Sequence, residues 1–324
     1  MLFIYVIFVI TNKTNINNNQ HIEVKMLRLE KGKNAMENIK PLEWIWKPLI
    51  PRNCISILAS RGGVGKSGFA LWLANELSRE GKKVLYVDAE RCGYHIKQRI
   101  KDWNLDSWEN IIFTVDDLID GSIQTAAPAT IIELYNLIKS CSPDLVILDS
   151  LTVFSRGLDS NRRDVMAVYF EELTKTAVEC NTGILILAHT KKKQEKDESI
   201  NLDSVAGSGA ITDLARSVLL MDFGINEEER IISQLKINLT AKAKPLLFKI
   251  ASSGISDVHF TEEISRSSET KAEKLRLIAF DLLKKNTGIK EVRAVLKRND
   301  AAPSEYGRAI EWASEKLNIT HIKA

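Results

Sequence analysis

The segment Ser60-Arg61-Gly62-Gly63-Val64-Gly65-Lys66-Ser67 constrains this chain more than any other. It follows the apolar run Ile55 to Ala59, which reads as a buried strand, and precedes Gly68 to Arg79, where apolar residues recur at helical spacing. A Gly-rich turn between strand and helix can point backbone N–H groups inward at an anion, and the helix adds its positive N-terminal end. In such a P-loop, Lys66 reaches the β and γ phosphates of a nucleotide and the Ser67 hydroxyl ligates Mg²⁺. The expected ligands are therefore ATP and Mg²⁺, with Ser60, Arg61, Gly62, Gly63, Val64, Gly65, Lys66 and Ser67 as the cradle. The strict pattern begins with Gly. Ser60 is small enough for the turn but lacks ready access to positive φ, so it is the irregular position of the motif.

The alternation of apolar strand and amphipathic helix continues downstream. Lys83 to Val87, Ile111 to Thr114, Asp144 to Leu148 and Gly183 to Ala188 read as buried strands, and Tyr94 to Trp103, Thr130 to Ser140 and Asp164 to Cys180 as helices. This predicts an α/β fold, a mostly parallel sheet flanked by helices on both faces. After Arg216, the segments Val218 to Met221, Ile231 to Leu239 and Pro245 to Ile250 read as strands extending one sheet edge in antiparallel fashion. Ser265 to Thr270 is polar enough for a linker, and about three short helices follow, suited to a small helix-turn-helix or winged-helix-like module. The expected organisation is an N-terminal extension over 1–40, an ATPase domain over 41–264, a linker over 265–270 and a helical module over 271–324. A length of 324 residues fits a large domain plus a small one, because single cores stop growing near ~250–300 residues.

Composition removes several classes. Hydrophobic content of 44% and charged content of 27% exclude a mainly disordered or fibrous chain. A formal net charge of +3 does not by itself indicate a nucleic-acid partner, so such a partner must be argued from local clusters. Cys54, Cys92, Cys141 and Cys180 form no CxxC pair, which fits reduced thiols rather than a zinc ribbon. Met1 to Ile10 is apolar but short of the roughly 20 residues that span a bilayer, so no membrane role and a cytoplasmic location are expected. The extension is read as upstream of a start at Met26 or Met36 and without order.

Three further segments carry candidate chemistry. The strand in Val84-Leu85-Tyr86-Val87-Asp88-Ala89-Glu90 delivers carboxylates at its C-terminal end, where ligand sites of open parallel sheets lie. Glu90 is the candidate catalytic base, and helix capping by Asp88 and Glu90 is the alternative. Leu145 to Asp149 is an apolar strand ending in an acid, as a Walker B segment needs to hold Mg²⁺, so Asp149 joins Ser67 as a metal-site residue. Gly183 to Ala188 runs into His189-Thr190, which puts His189 near the expected γ-phosphate, either as a phosphate sensor or as a hydrogen-bonded structural residue.

The order of these segments resembles the RecA-like ATPases of the RepA-type hexameric replicative helicases carried by plasmids and mobile elements. The resemblance runs from Trp44 to Ile250, through the lead-in Trp44 to Arg52, SRGGVGKS, VDAE, LVILDS, AHTKKK and Ala206 to Arg216. It implies a RecA-like core and assigns phosphate binding to Lys66, catalysis to Glu90, the Walker B role to Asp149 and the sensor role to His189. An arginine finger falls on Arg216, donated across a subunit boundary. The family usually has Arg-Gly at the head of that last segment, where this chain has Ala206-Gly207. The resemblance further implies a homo-oligomer, a hexameric ring, with single-stranded DNA and replication proteins as partners. In RecA-like rings the loops after the Walker B strand and the next strand line the channel; here they hold Arg156, Arg162 and Arg163, then Lys191, Lys192 and Lys193, suited to a phosphate backbone. The expected function is an ATP-dependent DNA-translocating ATPase, a replicative helicase. The alternatives are a recombination or regulatory ATPase of the RecA-like kind, and a partition-type ATPase, whose deviant P-loop has Lys where Arg61 stands.

Overall fold

The computed structural model describes residues 29–118, 120, 122–154, 162–190, 202–205, 209–261, 271–284, 288–298 and 303–317. Within the stretch read as an extension, Gly32–Glu37 forms a short helix, α1, with no buried residue. It belongs to a unit ending at Leu42, separate from the unit Glu43–Ala324.

The larger unit opens with a small hairpin, β1 (Trp44–Trp46) and β2 (Ile50–Pro51). Then come β3 (Ile55–Ser60), α2 (Lys66–Arg79), β4 (Val84–Asp88), α3 (Gly93–Asp102) and β5 (Ile111–Phe113). A second hairpin, β6 (Val115–Asp117) and β7 (Ile123–Thr125), leads to α4 (Ile131–Cys141), β8 (Leu145–Asp149), α5 (Leu151–Phe154), α6 (Arg163–Glu179) and β9 (Gly183–His189). The chain continues through α7 (Gly209–Leu214), β10 (Ser217–Phe223), β11 (Glu229–Ile237), β12 (Leu246–Ala251) and β13 (Gly254–Phe260). The helices α8 (Lys271–Lys284), α9 (Ile289–Arg298) and α10 (Pro303–Lys316) follow.

Nine strands form one sheet in the order β13-β12-β11-β10-β3-β9-β8-β4-β5. From β10 to β5 the pairings are parallel. Strand β10 is thus parallel to β3, unlike the antiparallel edge expected from sequence. It is reached by a crossover carrying α7, and such a connection returns the chain to the same end of the sheet. Antiparallel pairing begins only at β11 and continues through β12 to β13, a strand that the sequence reading missed.

Because helices cover both faces, the central strands are apolar on both sides. Leu58 of β3 packs with Phe69, Leu73 and Leu77 of α2 and with Ile45 and Leu49 of the first hairpin. Its neighbours Ile57 and Ala59 point the other way, into a cluster with Leu134 of α4, Phe170 and Leu173 of α6 and Ile211 of α7. Helix α4 starts on a capping box: the Thr130 hydroxyl accepts from the Glu133 N–H at 3.1 Å while the Glu133 carboxylate accepts from the Ala129 N–H at 2.7 Å. The C-terminal helices close on their own core of Leu275, Ala279, Val292, Leu296, Ile310 and Ala313.

One contact ties the first turn of α2 to the end of α3. A methyl at Gly68 would lie 2.7 Å from Cη2 of Trp103, whose other side meets Gly254. Gly68→Ala should therefore force the indole to shift and cost about 1–3 kcal/mol. The expected observation is a lower urea midpoint with an unchanged slope.

Candidate nucleotide site

The sheet order brings four strand ends together. Strands β9 and β8 lie between β3 and β4, and the register pairs Ser60 with His189 and Asp88 with Asp149. The residues named from sequence as Lys66, Glu90, Asp149 and His189 therefore share one edge, at the C-terminal ends of parallel strands.

Ser60 is the last residue of β3, so its backbone is extended and asks for no positive φ. The left-handed conformations fall on Gly63 (φ 79°) and Gly65 (φ 110°) instead. At Gly65 a Cβ would also come within 2.8 Å of Ile250 Cδ1. The irregular Ser60 hydroxyl has partners: it accepts from the Lys66 ammonium at 3.0 Å and donates to the Arg61 carbonyl at 2.7 Å. Lys66 is only 7% exposed, and burial lowers its pKa against the opposing pull of Asp149 and Glu90.

The acidic groups divide by environment. Asp149 is buried, and burial pushes its carboxyl up, while hydrogen bonds from Ser67 and Tyr86 pull it down. The Tyr86 hydroxyl donates to Asp149 Oδ2 at 2.9 Å. Burial first and Asp149 second hold that phenol well above its ordinary value, so it stays a donor. Asp88 Oδ2 accepts from the Cys92 N–H and the Thr125 hydroxyl, each at 2.7 Å, so it holds the N-cap residue of α3 without itself capping the helix. Glu90 instead accepts at Oε1 from the Ser150 hydroxyl at 2.7 Å. The two carboxylates thus meet different partners, Asp88 at the start of α3 and Glu90 at the end of β8.

The P-loop is braced from the side. Arg61 donates to Asp222 Oδ1 at 3.0 Å, and Arg230 Nε donates to the Val64 carbonyl at 2.7 Å while its guanidinium stacks 4.3 Å over Phe223. Sequence reasoning missed Asp222 and Arg230, because nothing local to β10 or β11 shows that their turn folds against the phosphate loop. Tyr86 had a visible signal, a polar-tipped aromatic inside an otherwise apolar strand.

The remaining expected residues lie elsewhere. Arg216 is exposed, and its N–H donates to the Ile55 carbonyl, at the opposite end of β3 from Ser60. At the rise of a strand this is roughly 17 Å from the P-loop, so within its own chain Arg216 stays out of the site. Arg162 pairs with Asp164, and Arg163 with Asp213 at 2.7 Å. Arg156, Lys191, Lys192, Lys193 and the Ala206-Gly207-Ser208 head of the Arg216 segment lie outside the described residues.

The donor set fits Mg²⁺ and a polyphosphate. A hydroxyl and a carboxylate in contact, Ser67 and Asp149, are hard oxygen ligands of the kind Mg²⁺ takes. Above the turn a Cβ at Gly62 or Gly63 would meet nothing within 4 Å, which leaves open space for an anion, and Lys66 stands beside it.

A P-loop between the central strand of a parallel sheet and its helix, with an acid two strands away, defines a P-loop ATPase of the RecA-like kind. The comparisons carry this further: the model of the AAA domain family matches residues 23–195, over half of the chain, and the chain belongs to that family. DNA repair protein RadA from Aquifex aeolicus (strain VF5) is 25% identical over 207 residues, covering 63% of this chain and 41% of that protein. RadA from Chlamydia muridarum (strain MoPn / Nigg) is 24% identical over 207 residues, with the same coverage. The chain thus spans less than half the length of the curated relatives it matches. Among solved structures, a KaiC-like protein from Pyrococcus horikoshii OT3 aligns with a TM-score of 0.48 and 17% identity, over 68% of this chain and 98% of that one.

His189 gives the site a pH signature. Burial first, and the Lys66 charge second, lower its pKa below the ordinary 6.5, so the folded chain binds fewer protons there than the unfolded one. Stability should fall as pH drops through about 6.5. His189→Gln should lose less over that range when denaturation midpoints of the two proteins are compared.

Proposed function

We propose that this chain is a Mg²⁺-dependent ATPase that moves on single-stranded DNA as a homo-oligomeric ring, in the manner of a RepA-type replicative helicase. The observation that carries the ATPase reading is the convergence of Lys66, Asp149, Glu90 and His189 on one sheet edge beside the Ser60–Ser67 turn. Lys66 would neutralise the β and γ phosphates, and Ser67 with Asp149 would hold Mg²⁺, which supplies further charge neutralisation when bound. Glu90 would take a proton from the attacking water. His189 sits next to the first P-loop residue, and the Thr190 N–H donates to the Ser60 carbonyl at 3.0 Å, so phosphate occupancy can be felt at the chain just after β9.

The position of Arg216 supports the assembled form. An exposed arginine at the far end of the sheet cannot serve its own site, but it can serve the site of an adjacent subunit in a head-to-tail ring. A second reading, a recombination or repair ATPase without unwinding, is favoured by the likeness to proteins named DNA repair protein RadA. A partition-type ATPase has no use for the Arg216 segment.

ATP hydrolysis should require Mg²⁺, rise when single-stranded DNA is added, and fall about 100-fold or more in Lys66→Ala. Hydrolysis indifferent to nucleic acid would overturn the translocating reading. A forked duplex separates the first two readings: ATP-driven strand displacement supports the helicase, and DNA-stimulated hydrolysis without displacement supports the repair-type ATPase.

A further inference from the structure

The carboxylate of Glu90 is reached by two links from the end of β8. The Ala89 N–H donates to the Asp149 carbonyl at 2.7 Å, which fixes the backbone on one side of Glu90. The Ser150 hydroxyl donates to Glu90 Oε1, also at 2.7 Å, which fixes the carboxylate itself. Ser150 is 1% exposed, whereas Glu90 is exposed. A buried hydroxyl that spends its proton on an exposed, flexible carboxylate is not needed to hold the strand end, because the Ser150 backbone is already tied. Its carbonyl accepts from the N–H groups of Val153 and Phe154 in the first turn of α5.

We propose that Ser150 is a positioning residue for catalysis: its hydroxyl holds Oε1 of Glu90 and so aims Oε2 at the attacking water. This rests on Glu90 as the catalytic base. Among the described residues no group bonds Oε2, so that oxygen is left to accept. In the step it serves, the water oxygen bonds to the γ-phosphorus, the bridging oxygen departs with the diphosphate, and the water proton passes to Oε2. An unheld glutamate has three side-chain torsions to search, and displacement of a reacting group by about 1 Å can cost 10²-fold in rate. The same hydroxyl sits on the residue after Asp149, so the metal-site strand and the base are locked in one register.

The test uses the full chain, with steady-state ATP hydrolysis in Mg²⁺ and an independent ATP binding constant. Ser150→Ala should lower kcat by about 10- to 100-fold while KM and the binding constant stay within about twofold. Ser150→Thr, which keeps the hydroxyl, should recover most of the loss. Ser150→Ala placed on Glu90→Gln should be no slower than Glu90→Gln alone, because the group being aimed has gone. Should Ser150→Ala fail to fold, Ser150→Cys keeps the volume with a weaker donor and should fall between wild type and Glu90→Gln. Wild-type turnover in Ser150→Ala or Ser150→Cys beside a slow Glu90→Gln would overturn the positioning role alone. So would a Ser150→Thr as slow as Ser150→Ala, or a loss that adds to that of Glu90→Gln. Full turnover in Glu90→Gln would instead remove Glu90 as the base, and the positioning role with it.

Discussion

The candidate site depends on one constraint, the parallel insertion of β9 and β8 between β3 and β4. That strand order puts the phosphate loop after β3, His189 at the end of β9, Asp149 at the end of β8 and Glu90 after β4 on a single edge. The register is enforced by burial. With helices on both faces, a one-residue slip of β9 would exchange the residues packed against α2 for those packed against α6. The chemistry at the strand ends is thus set by apolar packing some distance below it.

Within that frame, the buried charges explain why the site is built from so many hydroxyls. Lys66 and Asp149 are both almost fully removed from water, which penalises each charge unless partners are supplied. Ser60 meets the ammonium, while Tyr86 and Ser67 meet the carboxylate. These are neutral, readily exchanged partners. Phosphate oxygens and Mg²⁺ are stronger ones, so a nucleotide finds groups already gathered and weakly satisfied. The brace of Arg61 on Asp222 and Arg230 on Val64 keeps the loop itself in place while those partners change.

Much of this was legible in the sequence, and the misses have physical causes. The core strands and helices were readable because both-face burial writes uninterrupted apolar runs and the helices write a 3.6-residue period. The P-loop and Asp149 were readable because their context, strand then turn then helix, is local. The split between Asp88 and Glu90 was not, since it depends on Thr125 and Ser150, which are distant in sequence. Ser60 is irregular only against the strict motif, whose first position is glycine; in the fold it ends a strand. The hairpin β6–β7 and the strand β13 were missed, being short or exposed and carrying no apolar alternation. Arg216 was picked out by its likeness to a family, and what the fold adds is its distance from the chain's own site.

That distance makes the central claim a claim about two copies rather than one. In the proposed site Lys66 meets the phosphates, Ser67 and Asp149 the metal and Glu90 the water, while Arg61, beside them, is engaged with Asp222 rather than free to meet the charge that develops in phosphoryl transfer. The most direct measurement is ATP hydrolysis by mixtures of Arg216→Ala and Glu90→Ala chains, each inactive by itself. If Arg216 acts on the neighbouring site, an equal mixture should recover about one quarter of the wild-type rate per chain, the share of boundaries that join an intact base to an intact arginine. A mixture no more active than its two components would contradict the shared site.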